Sequence, residues 1–229
     1  MEPTNEFVPQ INPITNTLIT TSKGDYFSGK ENLNAIKEDL LKEVKSEDGE
    51  VQGLWILTMV DHWNNNIEKA VLFMTNSIYI FRYDFVLKKV KDVKVVKVAD
   101  IVEIKIGTLT FPDKSLMPSR NINGIEIVWG DVSQVTWTQR WNPLCKSIPS
   151  CILINHPLFY SKLSEDKPLV IERENFSTEN LRFTLENVIS DATKFKNENI
   201  IVNSYGNVAS LIFNQSALGF NKDRHGVSF

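Results

Sequence analysis

VQGLWILTMVDHWNNNIEKAVLFMTNSIYIFRYDF, at residues 51–85, is the stretch that decides the fold. It holds three apolar runs, at 51–60, 70–74 and 78–81, and two polar breaks separate them. Apolar runs of this length that are rich in Ile, Val, Phe, Tyr and Trp, with Asn and Ser at their ends, are typical of strands buried on at least one face. The stretch therefore predicts three strands joined by two turns.

More strands follow this stretch. Residues 87–106 carry six lysines among valines and isoleucines, and the apolar alternation slips once after Val95. This pattern predicts two strands around Ala99-Asp100 and allows a bulge. Residues 111–123 contain two prolines among polar neighbours and are predicted to form a loop. Three further strands are predicted, the first two as a hairpin that turns at Gly130-Asp131, over residues 124–129, 135–141 and 148–155.

Two amphipathic helices flank the strands. The first begins after a capping-box pair, Ser28 and Glu31, and its apolar residues fall on one face. The second begins at the N-cap Ser177, and its apolar residues repeat at intervals of four and three from Leu181 to Phe195. We expect this second helix to lay its apolar face on the sheet. Beyond it, the sequence predicts a strand at 199–202 and a short amphipathic helix at 205–213.

The order of these elements predicts an α+β fold. Helices at the two ends of about seven antiparallel strands are typical of a pleckstrin-homology-like barrel or sandwich that a C-terminal helix caps. We expect an N-terminal helix before this unit and a C-terminal extension after it. Residues 1–24 are rich in Asn, Thr and Pro and predict a flexible tail, so that residues 25–229 form a single domain.

Composition narrows the class of protein. A net charge of −3 and a pI near 5.7 argue against bulk attraction to nucleic acid. Two cysteines are too few for a disulfide framework, and the N-terminal residues lack the pattern of a signal peptide, so we expect a cytoplasmic protein. No apolar run approaches the ~20 residues of a spanning helix, which leaves peripheral contact as the expected mode at a membrane.

The motifs of catalysis are incomplete in this sequence. Residues 24–31, GDYFSGKE, approach a phosphate-binding loop, but Glu31 stands where a Ser or Thr hydroxyl would hold magnesium. A cysteine-dependent phosphatase needs an arginine six positions after its nucleophile, and neither Cys145 nor Cys151 has one. The three histidines lie far apart and lack metal-ligand spacing. We therefore predict a protein that is not an enzyme and that has no catalytic residues, cofactor or metal.

Two stretches are candidate contact surfaces. In the polar turn after the first strand, His62, Trp63 and Asn64 are candidates for protein contact, because a tryptophan in such a turn can be an exposed binding anchor. We expect the other four tryptophans to lie in the core. A lysine stripe could contact an anionic membrane, where each cation contributes about 1 kcal/mol, although edge-strand lysines also serve simply to prevent aggregation. The stripe comprises Lys88, Lys89, Lys91, Lys94 and Lys97.

A set of short motifs resembles the tumour protein p63-regulated gene family. The likeness covers residues 25–229, and its combination of motifs is specific. The chain departs from the family in having Leu144-Cys145-Lys146 after its WNP motif and Ser228 before its final Phe. The matching motifs are Gly49–Thr58, Asp61–Asn65, Tyr83–Phe85, Tyr26-Phe27, Phe111-Pro112, Ser115-Leu116, Arg140–Pro143, His156-Pro157, Leu218–Phe220, Gly226-Val227 and Phe229.

The resemblance implies a domain shared with the homology region of Sac-type inositol phosphatases, pleckstrin-homology-like and prone to homodimerise. It also implies a non-enzymatic, vesicle-associated adaptor that regulates exocytosis, with a cytosolic scaffold protein and calmodulin as partners. In such domains, cations in the first inter-strand turn hold inositol phosphates, but here that turn has none before Lys69. Our leading hypothesis is therefore an adaptor, and the alternative is a peripheral module that binds phosphoinositides or other anionic lipids.

Overall fold

Three α-helices and nine strands form the body of the protein as described by a computed structural model. The described residues are 10–11, 18–19, 30–112, 120–142, 145–160, 173–202, 223–224 and 227–228. The helices are α1 (Lys30–Leu41), α2 (Trp137–Trp141) and α3 (Thr178–Val188). The strands are β1 (Val51–Val60), β2 (Asn66–Met74), β3 (Ser77–Asp84), β4 (Lys89–Lys97), β5 (Glu103–Thr110), β6 (Asn123–Val128), β7 (Ser150–Ile154), β8 (Phe195–Asn197) and β9 (Ile200–Ile201).

Several shorter elements complete the described structure. Two pairs of two-residue strands lie outside the main sheet, Gln10–Ile11 with Leu18–Ile19 and Asp223–Arg224 with Val227–Ser228. Short 3-10 helices occur at Ser46–Asp48, Val98–Asp100, Val132–Gln134, Pro157–Tyr160, Arg173–Phe176 and Ala192–Lys194.

Within the described residues, the nine strands form one sheet. Its order is β8-β5-β6-β7-β1-β2-β3-β4, and β9 pairs farther along β5. All pairings among strands β1 to β7 are antiparallel. Strands β8 and β9 pair with β5 in parallel. The α+β class is confirmed. The strand number and the two parallel pairings differ from the expected seven-stranded antiparallel barrel.

Strands β1 to β3 are apolar on both faces, which explains their nearly unbroken apolar runs. Successive side chains of a strand point to opposite faces, so Trp55 and Leu57 join the core beneath α3, while Leu54 and Ile56 join the core beneath α1. Leu181 and Leu185 of α3 are buried in the first of these cores, as the helical periodicity predicted. The second core is completed by Leu33, Ile36 and Leu40 of α1.

A third, smaller core joins the ends of several strands. It contains Val60 of β1, Leu109 of β5 and Ile200 of β9. Gly107 of β5 permits this arrangement, because a Cβ atom there would collide with the backbone carbonyl of Glu198 between β8 and β9. The connection from β8 to β9 therefore lies directly on β5.

Most strand and helix positions predicted from the sequence are confirmed, and three details are wrong. Residues 135–141 contain the helix α2 rather than the second strand of a hairpin. Helix α3 ends at Val188, and β8 begins at Phe195, where the helix was expected to end. The register shift lies opposite Arg82 and Tyr83, not after Val95. The helix predicted at 205–213, and nearly all of the tail at 1–24, lie outside the described residues.

Candidate functional site

The turn between β1 and β2 is organised by the carboxylate of Asp61. Its Oδ1 accepts hydrogen bonds from the backbone N–H groups of Trp63 and Asn65, at 2.9 and 2.7 Å, and its Oδ2 accepts from Nδ2 of Asn65 at 3.0 Å. Burial raises the pKa of Asp61, and these hydrogen bonds oppose that effect. An aspartate that binds backbone groups two and four residues later is a common way to fix a tight turn. The turn is therefore rigid rather than a loose polar loop.

Arg120, which is distant from the turn in sequence, forms hydrogen bonds with it. Its side chain is almost fully buried, and Nη2 donates to the carbonyl oxygen of Asn64 at 3.1 Å and to Oδ1 of Asn66 at 2.8 Å. Asn64 is also buried and adopts a left-handed backbone conformation with φ of 65°, which asparagine tolerates better than most residues. Burial lowers the pKa of Arg120 to about 9, so the guanidinium remains a cation at neutral pH.

Trp63 joins this turn to helix α2. Its indole Nε1 donates to the carbonyl oxygen of Arg140 at 3.0 Å, and its ring meets that of Trp141 edge-on with centroids 6.3 Å apart. His62 makes a second link, since its Nε2 lies 2.9 Å from the carbonyl oxygen of Asn142. Two motifs of the sequence, DHWNN at 61–65 and RWN at 140–142, thus meet in space.

The exposed aromatic residues of this region are on α2, not in the turn. Trp63 is 8% exposed, whereas Trp137 is 69% and Trp141 is 43% exposed. The rings of Trp137 and Trp141 lie 5.5 Å apart. We refer to these two residues as the tryptophan surface. The structure reverses the sequence interpretation here, because Trp63 is the core residue and two tryptophans expected in the core are exposed.

A local signal could have revealed α2. Thr136 is the N-cap, its hydroxyl accepts from the backbone N–H of Gln139, and the Gln139 side chain accepts from the N–H of Thr136. This Thr-x-x-Gln spacing is a capping box, which marks a helix start in a sequence. Gln139 also donates from Nε2 to the hydroxyl of Ser147 at 2.8 Å, so α2 is fixed to the segment that leads into β7.

Of the five lysines of the predicted stripe, Lys88 and Lys89 are exposed, and Lys91, Lys94 and Lys97 are partly buried. Lys94 donates to the carbonyl oxygens of Lys146 and Ile148, both at 2.9 Å, and lies 4.5 Å above the ring of Trp129. Burial lowers the pKa of Lys94. The remaining members differ in their surroundings: Lys97 is bonded to the buried Asp48, Lys91 lies 3.8 Å from Asp84, and Lys88 and Lys89 are exposed.

The cysteines do not provide a reactive thiolate pair. Cys151 is buried in the main core, and burial raises its pKa to about 12. A thiol with so high a pKa stays protonated at neutral pH and is a poor nucleophile. The Sγ atom of Cys145 lies 3.1 Å from the hydroxyl of Ser147. No helix within the described residues has the length and apolar character to cross a membrane.

Comparison with known proteins shows the following similarities. The hSac2 family model, described as inositol phosphatase, matches residues 26–130. The human Tumor protein p63-regulated gene 1 protein is 28% identical over 206 residues, which cover 86% of this chain and 74% of that protein. The hSac2 domain from human phosphoinositide phosphatase Sac2 aligns with a TM-score of 0.39 and 14% identity over 75% of this chain and 88% of that chain. A TM-score of this size supports no conclusion about fold or function.

The family-model match concerns a homology domain, which is distinct from the catalytic Sac phosphatase domain. It includes β1 to β6, the DHWNN turn and Arg120, while the similarity to the human protein extends over most of the chain. These findings agree with the resemblance that the motifs predicted: residues 26–130 match the hSac2 family model, and most of the chain is similar to the human Tumor protein p63-regulated gene 1 protein.

Proposed function

We propose that this protein is a non-enzymatic adaptor that binds a protein partner through the tryptophan surface. The observation that carries the proposal is the exposure of Trp137 and Trp141 side by side on a helix that Trp63 and His62 hold in place. Exposed tryptophans set in a rigid frame are the residues that most often dominate the binding energy of protein interfaces. The DHWNN turn then supports the contact from beneath rather than making it.

Proximity labelling in the native cell tests this proposal. We expect the Trp137→Ser/Trp141→Ser variant to lose a defined subset of the proteins that the unchanged chain labels. Phe183→Ser is a matched control, because Phe183 is an exposed aromatic residue of α3, 65% exposed and outside the tryptophan surface. An identical set of labelled proteins for all three chains would contradict the proposal, and so would turnover of phosphoinositides by the purified protein.

Homodimerisation and attachment to the cytosolic face of vesicles belong to the same proposal. What supports them is the resemblance of the sequence motifs to the p63-regulated gene family, and that resemblance also implies a scaffold protein and calmodulin as partners and a role in regulating exocytosis. Light scattering at micromolar concentration should give twice the 26.2 kDa mass of the chain. A strictly monomeric mass would remove the dimer from the proposal without affecting the tryptophan surface.

We further propose that β1 to β7 and α3 form a pleckstrin-homology-like unit. Two contacts support the necessary curvature of the sheet. The ammonium group of Lys94, on the edge strand β4, reaches the carbonyl oxygens of Lys146 and Ile148 just before β7. Residues of β4 and β5, among them Val96 and Ile104, share one core with α3. An experimental structure in which β4 and residues 146–148 lie far apart would contradict this unit.

A specific observation supports the alternative of a lipid-binding module. In the turn between β3 and β4, Leu87 is 51% exposed, and the exposed Lys88 and Lys89 follow it directly. An apolar residue beside two cations suits an anionic membrane surface. If this alternative holds, the protein floats with phosphatidylserine vesicles at low salt, Lys88→Glu/Lys89→Glu abolishes flotation, and Lys196→Glu preserves it.

A further inference from the structure

We infer that Arg120 is the positioning residue of the tryptophan surface, acting through the DHWNN turn. The inference rests on the proposed function for its biological meaning, but its physical content can be measured without any partner. Arg120 belongs to the connection between β5 and β6 and does not belong to α2 or to the turn.

Arg120 contacts the turn through its Nη2 atom. Every hydrogen bond that the described structure gives to Arg120 comes from Nη2 and goes to Asn64 or Asn66, the residues on either side of Asn65. The Nε and Nη1 atoms are buried and have no hydrogen-bond partner among the described residues. The guanidinium therefore has no competing anchor within the described structure. Hydrogen bonds from a charged donor are about twice as strong as neutral ones, and more so away from water.

Backbone hydrogen bonds join the residues of the turn to one another. Asn64 donates its backbone N–H to the carbonyl oxygen of Asp61 at 2.9 Å, and Asp61 donates its own N–H to the carbonyl oxygen of Asn65 at 3.0 Å. Together with the Asp61 carboxylate, these bonds fix residues 61–65 as one rigid unit. A shift of Asn64 therefore moves Trp63 with it.

Two residues of the turn bind the C-terminal end of α2. This helix has five residues, and a helix so short is not stable by itself. It is held at its C-terminal end by the bonds from Trp63 and His62 to the carbonyl groups of Arg140 and Asn142. The last carbonyl groups of a helix lack intrahelical donors, and the turn supplies donors to both of these groups; the carbonyl group of Asn142 also accepts from the backbone N–H of Cys145 at 3.0 Å. Loss of the turn geometry should consequently loosen α2 and the exposed rings of Trp137 and Trp141.

Hydrogen–deuterium exchange of the full-length chain tests this inference. Arg120→Met removes both hydrogen bonds from Nη2, and we expect it to speed amide exchange at least about tenfold in residues 61–66 and in residues 137–142. Exchange in α3 should remain unchanged. Arg182→Met is the matched control, because Arg182 is paired with Glu186 on the surface of α3. If Arg120→Met fails to fold, Arg120→Lys replaces it, with the same two segments affected.

A second variant separates positioning from general support of the core. Asn66→Asp turns the 2.8 Å contact with Arg120 into a partly buried ion pair, so it should slow exchange in both segments when Arg120 is present and should not slow it in Arg120→Met. Faster exchange throughout the sheet, or an unchanged 137–142 segment, would overturn the inference. If exchange responds as expected while proximity labelling does not, the proposed adaptor function fails and the positioning role stands.

Discussion

The imidazole Nε2 of His156 lies 3.0 Å from Oε1 of Glu68, and both side chains are almost fully buried. The other ring nitrogen, Nδ1, accepts a hydrogen bond from the backbone N–H of Leu158 at 3.1 Å. The ring hydrogen is therefore on Nε2, which donates a hydrogen bond to the carboxylate of Glu68. Residues 156–158 are thereby joined to the middle of the sheet at β2.

The Glu68–His156 pair should contribute strongly to stability. Glu68→Ala removes the acceptor of a buried N–H, which costs about 3 kcal/mol of the free energy of unfolding. Glu179→Ala, at an exposed position in the first turn of α3, should cost less than about 1 kcal/mol. Urea unfolding measures both values. Equal effects of the two substitutions would show that the pair is not a stabilising contact.

Asp48 should make the protein sensitive to acid. Burial alone would raise its pKa, but hydrogen bonds from Lys97, Ser77 and Tyr79 outweigh burial and lower the pKa to about 2. Because this value lies below that of an unfolded aspartate, about 3.9, the contribution of Asp48 is present above that pH and is lost as the pH falls toward 2.

We expect Asp48→Asn to flatten the fall in the free energy of unfolding between about pH 4 and pH 2, by up to about 1.4 kcal/mol per pH unit. Asp100→Asn, at an exposed position beside β4, should keep the slope of the unchanged protein. Chemical unfolding at a series of pH values provides the measurement. A slope for Asp48→Asn that equals that of the unchanged chain would refute the assignment.

Replacing the buried Trp63 and replacing the exposed Trp137 should have very different effects on the free energy of unfolding. Trp63→Ala removes a buried indole and leaves a cavity, so we expect a loss of about 3–5 kcal/mol in the free energy of unfolding. Trp137→Ala removes an exposed ring and should change it by less than about 0.5 kcal/mol. Thermal and urea unfolding distinguish these outcomes. A large loss in Trp137→Ala would mean that α2 is packed as core, against the exposure described above.

Gly107 should be intolerant of any side chain. A Cβ atom would strike the backbone carbonyl of Glu198, which cannot move without separating β8 and β9 from β5. We expect Gly107→Ala to cost about 1–3 kcal/mol and to speed amide exchange in residues 195–201. Gly130→Ala is the control, since its new methyl group would meet the side chain of Pro149 at 3.0 Å, and that contact can relax. Unaltered exchange in Gly107→Ala would contradict the close approach.

Lys94 should behave as an interior residue despite its charge. Lys94→Met removes the donor that two backbone carbonyls share, and we expect a loss of about 1–3 kcal/mol in the free energy of unfolding. Lys89→Met, at an exposed position of the same strand, should lie within about 0.5 kcal/mol of the unchanged protein. The comparison also matters for vesicle experiments, because a Lys94 variant that binds lipid poorly could simply be unfolded.

Local sequence patterns predicted the elements whose burial is regular. Strands β1 to β3 and helices α1 and α3 follow from apolar runs and helical periodicity, since their side chains face a core at fixed intervals. Residues 135–141 were misread because Val135, Trp137 and Trp141 suggest a strand, whereas the capping box between Thr136 and Gln139 specifies a helix. Here a short polar signal outweighed three hydrophobic residues, of which the fold buries Val135 and leaves Trp137 and Trp141 exposed.

Long-range contacts account for the rest of what the sequence did not reveal. Strand β8 is three residues long and carries almost no pattern, whereas β9 lies within the strand predicted at 199–202. The parallel pairing of both strands with β5 was not predicted. Arg120 is a single arginine in a predicted loop, and its burial follows from tertiary packing alone. The role of the turn at 61–65 as a contact site stays a prediction, and the exposure of Trp137 and Trp141 on α2 was not predicted.

The parallel pairing of β8 and β9 with β5 bears on how the chain is synthesised. Residues 104–106 pair with 195–197 and residues 109–110 with 200–201, so one side of β5 lacks its partner until residues 195–201 have left the ribosome. Parallel pairings between distant segments form late, after a large loop has closed. A nascent chain that already contains β1 to β7 would still hold an incomplete sheet, and a stop codon anywhere before residue 195 would leave it so.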